Sequence, residues 1–257
     1  MTSPDAESFD RWYRAIAASP RWDRFMREWL ELPPEVQSSG YLTGSGLVEV
    51  LGLLRLTSQS TLVELGCGRG GYGMAAARAS GAGLMGIDFS DAALTEARHR
   101  AARLHVDDVV EFRLGDLTST GLPANSADAV LCIDAFHFAE PHSAAAAELG
   151  RLLRPGGRLV LTSWEPAEPG DPVLPERLRY LDLSHELSTA GLVDIDLELR
   201  PDWSAAERAL WEAAVRLDPA GDPAIADLVD EAHGLLAVAS SLRRVLVTAR
   251  APALTTG

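Results

Sequence analysis

The run Leu62-Val-Glu-Leu-Gly-Cys-Gly-Arg-Gly-Gly-Tyr-Gly73 holds the residue types best spaced for chemistry. Leu62 to Leu65 reads as a short buried strand. Gly66, Gly68, Gly70, Gly71 and Gly73 interrupt it before an Ala-rich helical run from Met74 to Ala79. A strand that stops at glycines and restarts as a helix aims backbone N–H groups into one crevice. Glycine lets a ligand lie against such a turn, because a Cβ would hold the backbone off.

Gly66-x-Gly68-x-x-Gly71 also satisfies the dinucleotide pattern. Glu64, two residues before the first glycine, argues against that use. A carboxylate is costly to bury beside a pyrophosphate and favourable beside a cation. The loop with its preceding acid therefore points away from NAD and toward a positively charged nucleoside such as S-adenosylmethionine.

Three more acids fall where strands are expected to end: Asp88, Asp116 and Asp134. An Asp at a strand end is ordinarily a cap or turn former. Asp88, however, follows Gly68 by 20 residues, the spacing at which a carboxylate accepts both ribose hydroxyls. Asp116 closes the next strand, within reach of an adenine amino group. Ligands of open parallel sheets bind at these carboxyl ends.

The elements that must position these residues alternate strand and helix. Strands are predicted at 84–89, 109–114, 128–134 and 158–163, with helices from Ser90 to His105 and from about Ser143 to Leu153. Such spacing implies a parallel sheet with right-handed crossovers. Four prolines make 165–175 a loop; a helix over 176–190, a strand over 192–199, a helical insert over 201–240 and a last strand over 242–249 follow. Before the glycine run, Phe9, Trp12 and Tyr13 form one helically spaced aromatic set, and Trp22, Phe25, Met26 and Trp29 another, with Ser19-Pro20 between them. Two short helices ending before Pro33-Pro34 are expected, either packed on the main domain or forming a lid over a substrate pocket. Tyr41, in Gly40-Tyr-Leu-Thr-Gly-Ser-Gly46, reaches toward the ligand or packs.

Composition narrows the partners. The chain has 257 residues, 37 acidic against 23 basic, and every basic residue is arginine. A net charge of −14 with no basic stripe makes nucleic acid and anionic membrane poor partners. The two cysteines, Cys67 and Cys132, have no disulfide framework, and the start lacks a signal-peptide pattern, so a cytoplasmic location is expected. No apolar run reaches the length of a membrane span. The histidines and cysteines show no metal-ligand spacing, so no metal is expected.

Together, Glu64-Leu-Gly-Cys-Gly-Arg-Gly70, Gly86-Ile-Asp-Phe-Ser90, Gly115-Asp116, Asp128 to Asp134 and Leu152-Leu-Arg-Pro-Gly-Gly157 resemble the successive motifs of class I S-adenosylmethionine-dependent methyltransferases. The resemblance covers residues 40–163 well and 192–249 more loosely. It implies an α/β, Rossmann-like, seven-stranded, mostly parallel sheet in the order 3-2-1-4-5-7-6, with the last strand antiparallel. One domain is expected, with a helical cap over 1–39, a cofactor-binding core over 40–200 and 241–257, and the 201–240 insert. The resemblance places Glu64, Gly66, Gly68 and Gly70, with Cys67 between them, at the methionine end of the cofactor. Asp88 and Phe89 would hold ribose and adenine, Asp116 and Leu117 the adenine, and Asp134 and Phe136 the region of the sulfonium.

The chemistry so implied is displacement at the sulfonium methyl, with S-adenosylhomocysteine as product. A base helps when the acceptor is a hydroxyl or ammonium, and histidine titrates near neutrality. His137, after the fourth strand, is the first candidate; a histidine satisfied by backbone groups is the competing reading, and His142 and Glu165 come next. The expected function is methyl transfer to a small molecule, O-methylation of a hydroxylated specialised metabolite first. N- or C-methylation and cofactor binding without methyl transfer are the alternatives. A monomer or homodimer is expected.

Overall fold

The computed structural model describes residues 6–37 and 39–254. Seven strands form one sheet: β1 (Thr61–Leu65), β2 (Gly83–Asp88), β3 (Val110–Leu114), β4 (Ala127–Ile133), β5 (Leu153–Pro166), β6 (Val193–Leu199) and β7 (Leu242–Arg250). Their order is β3-β2-β1-β4-β5-β7-β6. β1 to β5 run parallel, and β7 is antiparallel to both of its neighbours. The order reverses between β1 and β4, and ligands of such sheets bind at that switch point.

Ten helices are described: α1 (Ala6–Ala17), α2 (Pro20–Trp29), α3 (Gly44–Leu54), α4 (Gly71–Ser80), α5 (Asp91–Leu104), α6 (His142–Leu152), α7 (Glu176–Arg179), α8 (Leu183–Thr189), α9 (Pro201–Ala214) and α10 (Pro223–Val238). Their starts are encoded locally. Ser19, Thr43, Ser90, Asp182 and Asp222 each turn a side-chain oxygen onto a first-turn amide, and Pro20 and Pro223 open their helices.

The single helix expected over 176–190 is two short ones. The Asp182 backbone is extended and its carboxylate accepts the His185 amide at 2.9 Å, so the chain caps afresh after one turn. The fifth strand is also longer than expected, because β7 pairs with it continuously from Arg158↔Arg250 to Pro166↔Leu242. The first two residues of the proline-bearing stretch therefore lie in the sheet.

Two apolar layers sandwich the sheet. Leu62, Leu84, Leu131, Val160 and Leu246 face α1–α5, α9 and α10; Val63, Leu65, Val130, Leu161 and Val247 face α6 and α8. Alternation along β1 puts Glu64 on the side of Leu62, toward α4. The aromatic N-terminal segment packs and also covers. Tyr13, Ile16, Trp22 and Met26 are buried, while α1 lies against α5 and α10. No described helix is long and apolar enough to cross a membrane.

Candidate functional site

A cavity of about 430 Å³ opens at the carboxyl ends of β1 to β4, beneath α1 and α10. That volume lies within the range of small-molecule sites. Its floor is built from Gly66 after β1, Asp88 and Phe89 at β2, Asp116 and Leu117 after β3, and Asp134 and Ala135 after β4. Ser8, Phe9, Trp12 and Tyr13 of α1 form one wall. Tyr41, Trp164 of β5, and Asp227 and Glu231 of α10 form the other.

The cradle at the first turn is tight. Gly66 sits at φ +66°, and a Cβ there would come 2.3 Å from the Ala135 Cβ. Gly66→Ala is expected to destabilise the protein by about 1–3 kcal/mol through backbone strain and overpacking. It should also push the turn into the cavity. Thermal melting and S-adenosylhomocysteine calorimetry check both, and parental values for both would show a turn freer than this geometry.

Asp88 is 4% exposed, and its two oxygens accept Gly68 N at 2.7 Å and Ser90 N at 2.9 Å. Burial raises its carboxyl to about 6, against the pull of these amides. Asp10 of α1 joins the same corner, accepting the Ser90 hydroxyl at 2.5 Å and Ala92 N at 3.2 Å. The covering helix is thereby fastened to the N-terminus of α5, where a carboxylate also meets the positive end of the helix dipole. Asp116 accepts Thr118 N at 2.7 Å and the Thr118 hydroxyl at 2.5 Å.

Asp134 has a left-handed backbone (φ +55°) and three partners. It accepts Tyr41 N at 2.9 Å and the Thr162 hydroxyl at 2.7 Å, and forms an ion pair with the Arg244 guanidinium at 2.6 Å. Arg244, on β7, also pairs with Glu207 of α9 at 2.5 Å, and Trp164 Nε1 donates to the other Glu207 oxygen at 3.0 Å. Its guanidinium lies 4.4 Å from the Trp164 ring centroid. This fully buried network joins β4, β5, β7, α9 and the Tyr41 loop. Burial raises the Glu207 carboxyl to about 7 although Arg244 opposes the shift.

Tyr41, Gly66, Asp88, Phe89, Asp116, Leu117 and Asp134 thus line one cavity. The other expected site residues do not. Glu64 lies below the turn, 2% exposed, accepting Gly73 N at 3.1 Å, and a Cβ at Gly73 would lie 2.3 Å from that oxygen. Its carboxylate braces β1 to α4. Burial, reinforced by Asp88, raises it to about 8 against the Gly73 amide. An acid with a raised folded pKa adds stability that is full below its unfolded pKa near 4.5 and is lost as pH rises through about 8. Glu64→Gln is therefore expected to melt above the parent at pH well over 8 and to lose that advantage in acid, as melting curves across pH would show.

Cys67, Gly68 and Gly70 sit within the turn but off the cavity surface; Tyr13 closes over Gly68, where a Cβ would meet its hydroxyl at 2.7 Å. Phe136 packs into the opposite layer, stacked on His142 at 5.7 Å between ring centroids. His137 is 3% exposed and stands behind the wall, its Nδ1 3.3 Å from the Ser163 hydroxyl and its ring edge-on to Trp164 at 5.0 Å. Burial, with Arg177 and Arg244 nearby, holds its pKa well below the ordinary range. The ring is neutral at physiological pH and positions Trp164.

Sequence reasoning left out Asp10, Trp164, Glu207, Asp227, Glu231 and Arg244. Arg244 stands beside Arg243 in a strand with three arginines, so no local pattern singled it out.

Six carboxylates and, among the described residues, no arginine or histidine line the cavity. That donor set suits a cation. A family model described as a methyltransferase domain matches residues 63–161. The seven-stranded order with an antiparallel β7 completes the pattern. Residues 63–161 thus match a methyltransferase domain, and the fold around them is that of class I S-adenosylmethionine-dependent methyltransferases. S-adenosylmethionine is the cofactor of that family, and the acidic lining and the glycine turn fit its sulfonium and ammonium charges. Gly66, Asp88, Phe89, Asp116 and Leu117 line the part of the cavity at the ends of β1 to β3.

Among curated proteins, 27-O-demethylrifamycin SV methyltransferase of Amycolatopsis mediterranei is 30% identical over 176 residues, 61% of this chain and 65% of that protein. Sterol 24-C-methyltransferase of Eremothecium gossypii is 29% identical over 124 residues, 48% of this chain and 33% of that protein. The matches thus span just under two thirds of the first relative and about a third of the second. Among solved structures, the [4+2]-cyclase SpnF superposes with TM-score 0.76 at 22% identity, covering 98% of both chains. Geranyl diphosphate methyltransferase, solved with geranyl diphosphate and sinefungin, gives 0.70 at 19% identity, covering 96% of this chain and 99% of that one. These two likenesses concern the fold.

Proposed function

We propose that this chain transfers the methyl group of S-adenosylmethionine to a small-molecule acceptor, with a hydroxyl of a specialised metabolite as the favoured site. The observation that carries the reading is the acidic cavity at the switch point, with Asp88 and Asp116 at successive strand ends. The bound cofactor supplies an electrophilic methyl. The chain's part is to hold the acceptor in line, fix the nucleoside end through Asp88, and keep water out beneath α1 and α10. The O-methyltransferase name of the Amycolatopsis relative supports oxygen as acceptor.

C-methylation is the second reading, favoured by the sterol 24-C-methyltransferases that match over the core. Cofactor binding without transfer is a third, suggested by the full-length likeness to a cyclase. Calorimetric titration with S-adenosylhomocysteine, with NADH as control, tests the cofactor. Mass spectrometry of acceptor panels incubated with S-adenosylmethionine then separates the three. Binding of NADH alone would sink the reading, and a cofactor-dependent rearrangement without a mass gain of one methylene would favour the third.

A further inference from the structure

The six cavity carboxylates divide into two groups. Asp88 and Asp116 are engaged by backbone amides and a hydroxyl at the nucleoside end, and Asp134 is neutralised by Arg244. Glu140, Asp227 and Glu231 have no ion-pair partner among the described residues. Asp227 and Glu231 stand one turn apart on α10, so both turn to the same face and into the cavity.

Glu231 is the deeper of the pair. Its side chain is exposed and opens on the cavity. Burial raises its pKa, the nearby Tyr41 hydroxyl opposes this, and the charge of Asp227 adds to it. Tyr41 is itself immobilised, its amide on Asp134 and its ring edge-on to Trp164 and Trp211 at 5.9 and 5.8 Å. Two like charges on one cavity wall, with no arginine lining it, repel each other, and a cationic guest relieves that repulsion. The aromatic faces of Phe9 and Trp12 across the cavity tolerate the same charge.

We propose that Glu231, seconded by Asp227, determines acceptor specificity by receiving the ammonium group of an amine-bearing small molecule, and so selects such acceptors over neutral and anionic ones. The proposal rests on the methyltransferase reading above and names the acceptor class for the same cavity.

Three probes of one size test it on protein saturated with S-adenosylhomocysteine: tyramine, 4-ethylphenol and 4-hydroxyphenylacetate, titrated calorimetrically near neutral pH. Each carries the same phenol, and only the charge at the far end differs. Tyramine is expected to bind about tenfold or more tighter than 4-hydroxyphenylacetate, with 4-ethylphenol between them. In Glu231→Gln, which keeps size and removes the charge, the three should converge to within about threefold while S-adenosylhomocysteine still binds. Asp227→Asn, farther out on the same face, should move the preference partway and serves if the first variant folds poorly.

Equal binding of the three probes, no tyramine binding at millimolar concentration, or a preference that survives both substitutions would each overturn the proposal. So would a Glu231→Gln protein that keeps its preference but binds S-adenosylhomocysteine about tenfold more weakly, since Glu231 would then serve the cofactor. Failure of the parent to bind S-adenosylhomocysteine is a different result, and it defeats the methyltransferase reading itself.

Discussion

Asp88→Ala is expected to weaken S-adenosylhomocysteine binding by roughly a hundredfold, about 2.7 kcal/mol, because a buried carboxylate that accepts ligand hydroxyls makes hydrogen bonds worth about 1.5–3 kcal/mol each. The loss has a structural component. The carboxylate also terminates Gly68 N and Ser90 N, at 2.7 and 2.9 Å. Alanine strands both amides, each at a cost of about 1–3 kcal/mol if no water replaces the acceptor. Calorimetry must therefore be run well below the variant's own melting temperature. Asp116→Ala is the comparison: its carboxylate is held by Thr118 on a more open rim, and its removal should cost less affinity.

The same group sets a pH dependence. With the Asp88 carboxyl raised to about 6, affinity for the ligand should fall as pH drops below that value, since the protonated acid accepts fewer hydrogen bonds. Undiminished affinity in Asp88→Ala at neutral pH would remove Asp88 from the binding site.

The largest stability effect is expected at Arg244. Arg244→Met leaves Asp134 and Glu207 buried without their cation, and losing one partner of such a pair costs about 3–5 kcal/mol. For a chain of this size that corresponds to a melting temperature lower by roughly 6–20 °C. Removing the guanidinium raises the Glu207 carboxyl further, so the loss should be smaller in acid and grow as pH rises. Neutralising them in the triple variant Asp134→Asn, Glu207→Gln, Arg244→Met should recover a large part of the stability, because the cost lies in uncompensated charge. A single variant melting within a degree or two of the parent would show that the network carries little. Because Asp134 also holds the Tyr41 amide, the single variant should loosen the cavity wall as well as the core.

What the sequence determined by itself were the features fixed by neighbours along the chain. Strand ends, helix starts and the glycine turn follow from short apolar runs, capping side chains and residues that admit positive φ. Asp88 and Asp116 were legible for that reason: each closes a strand whose direction and layer the alternation already implied. The sheet order came from the resemblance of the motifs, and the pairing of β7 between β5 and β6 agrees with it.

Tertiary structure alone decided where side chains from distant segments meet. Glu64 reads from its place before the glycines as facing a ligand, because both faces of a doubly covered sheet are apolar and parity does not say which face holds which neighbour. His137 lies one turn beyond a strand end, close to the cavity in sequence, yet the short 3₁₀ turn at Phe136–Phe138 rotates its ring behind Trp164. Asp227 and Glu231 look like the solvated face of an acidic helix until α10 folds back over the sheet. Arg244 reaches Asp134 only because β7 returns antiparallel beside β5, setting a cation 110 residues away in the chain against the end of β4. Local spacing carries no record of such contacts, since their energy depends on burial and on charges that the rest of the fold brings together.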